Sequence, residues 1–164
     1  MATRTRRNTG FTLVEILIVV VILGILAAIV IPQFTNASED AKSSSLYTQL
    51  QTIRSQLELY QIQHNGAYPT LAQLQDDTGG GTGDQWGVMI NKTNVSGTID
   101  AANEFGPYMQ QPPKNPFTNL STVVAGTAYT ADLDDGWVYD AATGSIWACG
   151  FDEATGTYSS TSGS

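Results

Sequence analysis

From Ile16 to Ile31 the chain reads ILIVVVILGILAAIVI, sixteen positions without a charged or strongly polar side chain. Counted from Phe11, the stretch to Ile31 is 21 residues, about 31 Å as an α-helix, close to the hydrocarbon thickness of a bilayer. After Pro32 the pattern changes. Phe34, Ala37, Ala41, Leu46, Leu50, Ile53, Leu57 and Tyr60 recur mostly at three- and four-residue steps, with Gln, Ser, Thr, Glu and Arg between them. This spacing predicts an amphipathic helix with one face turned to a small domain. Asn65-Gly66 supplies its stop signal. Pro32 need not end the helix; it and Gly24 are the obvious places for a bend.

Beyond Gly66 the periodicity breaks up. Tyr68 to Leu74 (YPTLAQL) suggests a turn and one short helix. Strand signals cluster late: Val123-Val124, Ala128 to Thr130, and a β-hairpin in which Trp137-Val138-Tyr139 and Ile146-Trp147-Ala148 flank the turn residues Asp140 to Ser145. From Ala154 the chain is almost wholly Ser, Thr and Gly, the composition of a flexible tail. The expected fold class is α+β, a long N-terminal helix whose second half packs on a small antiparallel sheet. The expected divisions are 1–10, 11–32, 33–66, a head at 67–153 and a tail at 154–164.

Charge sharpens this division. Arg4, Arg6 and Arg7 precede the apolar block and no acidic residue does, which favours a cytoplasmic N-terminus and a head outside. From Phe11 onward four Lys and Arg face fifteen Asp and Glu, a side-chain balance of −11. Such acidity argues against nucleic acid as a partner, because phosphate binding needs Lys and Arg. Cys149 is the sole cysteine, so no intrachain disulfide and no multi-cysteine metal site can form. Gly79 to Gly83 is Gly-rich but lacks the Gly-Lys-Ser/Thr ending of a phosphate-cradling loop.

The start of the span carries the most informative chemistry. A basic stretch followed by an apolar core resembles a secretory signal, yet no small-residue site of the A-x-A kind closes the core; Leu26-Ala27-Ala28-Ile29 runs on into aliphatics. Glu15 stands at the edge of the span. A charge at the centre of a membrane helix costs about 2.5–3.5 kcal/mol, so a carboxylate there needs a cation or must snorkel to the interface.

Gly10-Phe11-Thr12-Leu13-Val14-Glu15, after a short basic leader and before an aliphatic helix, resembles the class III signal of type IV pilins and type II secretion pseudopilins. The resemblance implies cleavage by a prepilin peptidase between Gly10 and Phe11 and methylation of the new Phe11 amine. It also implies a pairing of Glu15 with the Phe11 amine of a neighbouring subunit. NGAYPTLAQL (Asn65 to Leu74) resembles the end of the long helix and start of the head in the major, G-type pseudopilin; Gly106-Pro107-Tyr108, PKNPF (Pro113 to Phe117) and the Gly136-to-Trp147 hairpin are similar to segments of secretion-type relatives. Many pilins that build surface fibres carry a C-terminal cysteine pair, which this chain cannot. The implied protein is a structural subunit and not an enzyme. It would be anchored in the bacterial inner membrane with its head in the periplasm, and extracted into a filament. Its implied partners are further copies, minor pseudopilins, the peptidase and an inner-membrane assembly platform. A type IV pilin of a surface fibre is the alternative, and a non-polymerising membrane-anchored binding domain a more distant one.

Elsewhere the candidates are weaker. Asp132, Asp134, Asp135 and Asp140 crowd into nine residues and form the best candidate for a calcium site, set against a solvated acidic turn. An EF-hand is excluded because its twelfth loop position is Thr143 rather than Glu. The resemblance adds that major pseudopilins hold Ca²⁺ in C-terminal loops. His64, the one histidine, falls at a helix C-terminus, where partial positive charge is favourable. Trp86, Trp137 and Trp147 suit the core or a sheet face.

Overall fold

The computed structural model describes residues 11–79 and 85–158. Helix α1 runs without interruption from Leu13 to Gln63, through Pro32. Its end follows from the residues predicted to stop it. Asn65 (φ 56°) and Gly66 (φ 82°) turn left-handed, and the Gly66 amide reaches back to the Gln61 carbonyl at 2.8 Å.

The chain divides into two compact units after Asp40. In the first, Leu13–Val30 has a mean hydropathy of 3.2 and none of it is buried, so the aliphatic surface needed to cross a bilayer is intact.

The second unit is the head. Its helical portion turns Leu46, Leu50, Ile53, Leu57, Tyr60 and His64 inward, the predicted stripe from Leu46 onward continued by one histidine, whereas Ala37 and Ala41, expected on the same face, are exposed and the Phe34 side chain lies outside those described. A short helix α2 (Leu71–Leu74) starts with a capping box in which Thr70 and Gln73 satisfy each other's backbone amides. Another, α3 (Gly87–Ile90), follows the fully buried Trp86, whose backbone is left-handed (φ 81°). This turn was not predicted, since nothing in the pattern marks a tryptophan for that conformation.

Three strands form the main sheet: β1 (Val123–Ala125), β2 (Trp137–Asp140) and β3 (Ser145–Ala148), in that order. The β2–β3 hairpin is antiparallel as predicted, with Val138 opposite Trp147. Its turn needs a glycine: Gly144 has φ 71°, and the Tyr68 ring occupies the place of a Cβ. β1 instead runs parallel to β2, because residues 126–136 carry the chain back before it pairs, so the sheet is mixed. Ala128 to Thr130 form no strand.

Of the expected flexible tail, 159–164 lie outside the described residues, and the part before them is ordered. Thr157–Tyr158 (β5) pairs with Phe151–Asp152 (β4). Aromatic packing explains it: Tyr158 stacks on Phe117 at 4.2 Å, and Phe151 meets Tyr47 edge-on at 5.2 Å. Arg54 completes the attachment, bonding both Glu153 carboxylate oxygens at 2.6 and 3.0 Å and the Ile146 carbonyl at 2.8 Å.

Trp137 joins these layers. It is fully buried, lies edge-on to Trp86 at 6.4 Å and donates its indole N–H to the Pro113 carbonyl at 2.9 Å. Trp137→Ala should cost about 3–5 kcal/mol, since it leaves a cavity and an unpaired carbonyl. A chemical denaturation midpoint of the head that stays at the wild-type value would refute this packing.

Candidate functional site

At the start of α1 the backbone amides of the first turn have no intrahelical acceptors. Thr12 and Glu15 answer this together. The Thr12 amide and hydroxyl both donate to Glu15 Oε2, at 2.7 and 2.8 Å, while the Glu15 amide donates to Thr12 Oγ1 at 3.2 Å. This is a reciprocal capping box, Thr at the cap and Glu three residues on. A carboxylate is also well placed at the positive end of a helix dipole. The spacing Thr-x-x-Glu was the signal for Thr12, which the sequence reading passed over.

Both Thr12 donors converge on one oxygen. Glu15 Oε1 takes no hydrogen bond among the described residues, and the whole first turn is exposed. The helix start thus presents a carboxylate oriented by its own chain, with one oxygen open to an external cation. Phe11 adjoins it and is 84% exposed. Gly10 and the three leader arginines lie outside the described residues.

Residues 5–31 match the prokaryotic N-terminal methylation motif. The type II secretion system core protein G of Aeromonas hydrophila is 30% identical over 114 residues, which span 70% of this chain and 71% of that protein. The chain belongs to the type II secretion system core protein G family of pseudopilins. A second relative of that name, from Pseudomonas aeruginosa, is 44% identical over 68 residues, 42% of this chain and 47% of that protein. The type IV narrow pilus major component of Thermus thermophilus is 36% identical over 92 residues, 55% of this chain and 78% of that protein. No solved structure matches the chain significantly.

The pseudopilin head treats the remaining candidates differently. Asp140 is engaged in its own hairpin turn: it accepts the Thr143 hydroxyl at 2.8 Å and the Ala142 amide at 2.9 Å. These two bonds hold its carboxyl below the usual aspartate range. Asp132 accepts the Asp134 amide at 3.0 Å. Among the described residues no three His, Cys, Asp or Glu side chains stand together as a metal shell would require. Asp132, Asp134, Asp135 and Asp140 are thus not brought together among the described residues, and Asp132 and Asp140 each accept bonds within a local turn. The melting temperature of the chelator-treated protein is expected to stay unchanged in millimolar Ca²⁺. A rise of several degrees, abolished by Asp134→Ala, would restore the ligand reading.

His64 is 3% exposed and serves the core. Its ring stacks on Tyr60 at 3.6 Å; Nδ1 lies 2.8 Å from the Tyr60 carbonyl and Nε2 3.1 Å from the Thr93 hydroxyl. A carbonyl only accepts, so Nδ1 carries a proton toward it. Cys149 is buried, and burial pushes its thiol up to about 12, which leaves it unreactive at neutral pH.

Proposed function

We propose that this pseudopilin is a structural subunit of a periplasmic pseudopilus that drives type II protein secretion. The observation that carries the reading is the Glu15 carboxylate, oriented at the start of the apolar, unburied stretch Leu13–Val30 and four residues beyond Phe11. An oriented charge at that depth has little use in a permanent anchor. It has a use if the helix must recognise a cation on another chain. Cleavage between Gly10 and Phe11 by a prepilin peptidase would create that cation, the methylated Phe11 ammonium of the next subunit. Each subunit then meets the next through two different surfaces, a contact that does not close and so grows a helical filament.

In this account Leu13–Val30 first faces lipid and then other copies of itself, which keeps its apolar surface out of water in both states. The leader arginines hold the N-terminus in the cytoplasm and the head enters the periplasm. Partners beyond further copies would be minor pseudopilins and an inner-membrane assembly platform. On this reading the role of the helix tip is assembly rather than catalysis.

Deleting the gene should abolish export of folded proteins to the medium and leave surface-fibre motility and DNA uptake intact. The reverse pattern would support the second reading, a type IV pilin of a surface fibre, which the likeness to the Thermus thermophilus pilus component favours.

A further inference from the structure

The tryptophans of the head are not equivalent. Trp86 and Trp137 are fully buried, and each indole N–H has a protein acceptor, the Ser121 carbonyl at 2.7 Å and the Pro113 carbonyl at 2.9 Å. Trp147 is only partly buried, and its indole N–H bonds to no described residue. Alternation along β3 buries Ile146 and Ala148 and leaves Ser145 and Trp147 on the other face. A large apolar ring with a polar tip suits a surface that a ligand covers.

Trp147 lines a cleft of about 320 Å³, together with Arg54 and Glu58 of α1, Tyr68, and Thr143 and Ser145 of the hairpin turn. Small-molecule sites run from about 300 to 1,000 Å³, so the ligand that fits is a small one. The polar groups of the cleft differ in what they have left to offer. The Arg54 guanidinium is taken up by both Glu153 oxygens and the Ile146 carbonyl. The Thr143 hydroxyl is engaged with Asp140 at 2.8 Å. Glu58 is exposed, and its carboxylate bonds to no described residue. What remains is an open acceptor at Glu58, an open donor at Trp147 and the aromatic surface of Trp147 and Tyr68. An anion would meet the Glu58 charge, and the nearest guanidinium is already neutralised by Glu153. A cation would lie beside that guanidinium. A neutral ring with hydroxyls on its rim and C–H groups on its face meets all the open groups at once.

We propose that this cleft binds a small neutral saccharide. Sugar hydroxyls donate to the Glu58 carboxylate, which only accepts, and a sugar oxygen takes the Trp147 indole N–H, which only donates. The C–H face of the ring lies on the aromatic surface and leaves water behind. The inference concerns the head alone and stands whether or not the helix tips pair as proposed above.

The test uses the full chain, isotope-labelled, in zwitterionic micelles, because sugar-based detergents would compete. The probes are cellobiose, a plain glucose disaccharide, and N,N′-diacetylchitobiose, its amino-sugar counterpart. At least one of them should move the Trp147 indole N–H resonance saturably at millimolar concentration and leave those of Trp86 and Trp137 in place. Tighter binding of the acetylated probe would mark an amino-sugar chain as the source, and tighter binding of cellobiose a neutral glucan. Glu58→Ala changes an exposed side chain without a described partner, so the fold should persist while binding weakens at least tenfold. Glu58→Gln keeps an acceptor and should fall between. No saturable shift with either disaccharide would overturn the proposal, as would undiminished binding by Glu58→Ala. Diglycine bound as tightly as the sugars would also overturn it, because the cleft would then belong to a peptide.

Discussion

Glu15→Gln should yield a processed, membrane-inserted pseudopilin that enters filaments on the order of ten- to hundred-fold less well than the wild type. Glutamine can take the same place in the capping box, so the Thr12 amide and hydroxyl keep an acceptor and the start of α1 stays formed. What disappears is the charge. A charge-assisted hydrogen bond contributes about 1.5–3 kcal/mol, against about half that for a neutral one. The loss recurs at every subunit of a growing filament. Glu15→Ala removes the cap as well, and should in addition weaken the first turn. Quantifying filaments sheared from cells, beside total membrane-held subunit, separates assembly from insertion. Wild-type filament yield from Glu15→Gln would mean that shape alone suffices at this position.

Gly10→Val should stop maturation almost completely. A peptidase that cuts between Gly10 and Phe11, as proposed, would have to bring its catalytic groups to that backbone, and a branched side chain there would obstruct its approach. Misplacement by about 1 Å can slow an enzymatic step roughly hundred-fold. The variant should accumulate as the full-length precursor. It should also fail to assemble, because without cleavage no ammonium forms on Phe11 for a neighbouring Glu15. Gly10→Ala, with one added methyl, should show a smaller defect. Comparing precursor and mature bands in a strain with active peptidase reads the outcome, and normal maturation of Gly10→Val would place the cut elsewhere.

Much of the fold was legible because it depends on periodicity. The stripe from Leu46 to Tyr60 could face only one core, and the hairpin between Trp137 and Ala148 announced itself by apolar runs around Asp, Thr and Gly. The elements that escaped prediction depend on distant partners. Thr157 and Tyr158 sit in a run of small polar residues, and what orders them is an aromatic ring at Phe117. The parallel direction of β1 depends on the path of residues 126–136, whose sequence has no period. Gln75 and Gln85 are ordinary surface residues until β1 is placed beside them.

The helix tip was legible for another reason. Its chemistry is compressed into Gly10 to Glu15, where a carboxylate beside an apolar block stands out whatever the tertiary structure. By position alone Glu15 could snorkel or pair, and the motif around it implies the pairing; the structure adds how it is held, with Oε2 taken by Thr12. The aspartates show the opposite case. Crowding in sequence suggested a common ligand, but Asp140 is drawn into the turn it closes, and residues near in number need not point to one place.

The most direct test of the account is the intact mass of the protein extracted from membranes of cells with an active prepilin peptidase. The account predicts a chain that begins at Phe11 and carries one methyl group on its amine, with residues 1–10 absent. A chain that retains Gly10 and its leader would contradict it, because the Phe11 ammonium through which one subunit meets the Glu15 of the next would never form.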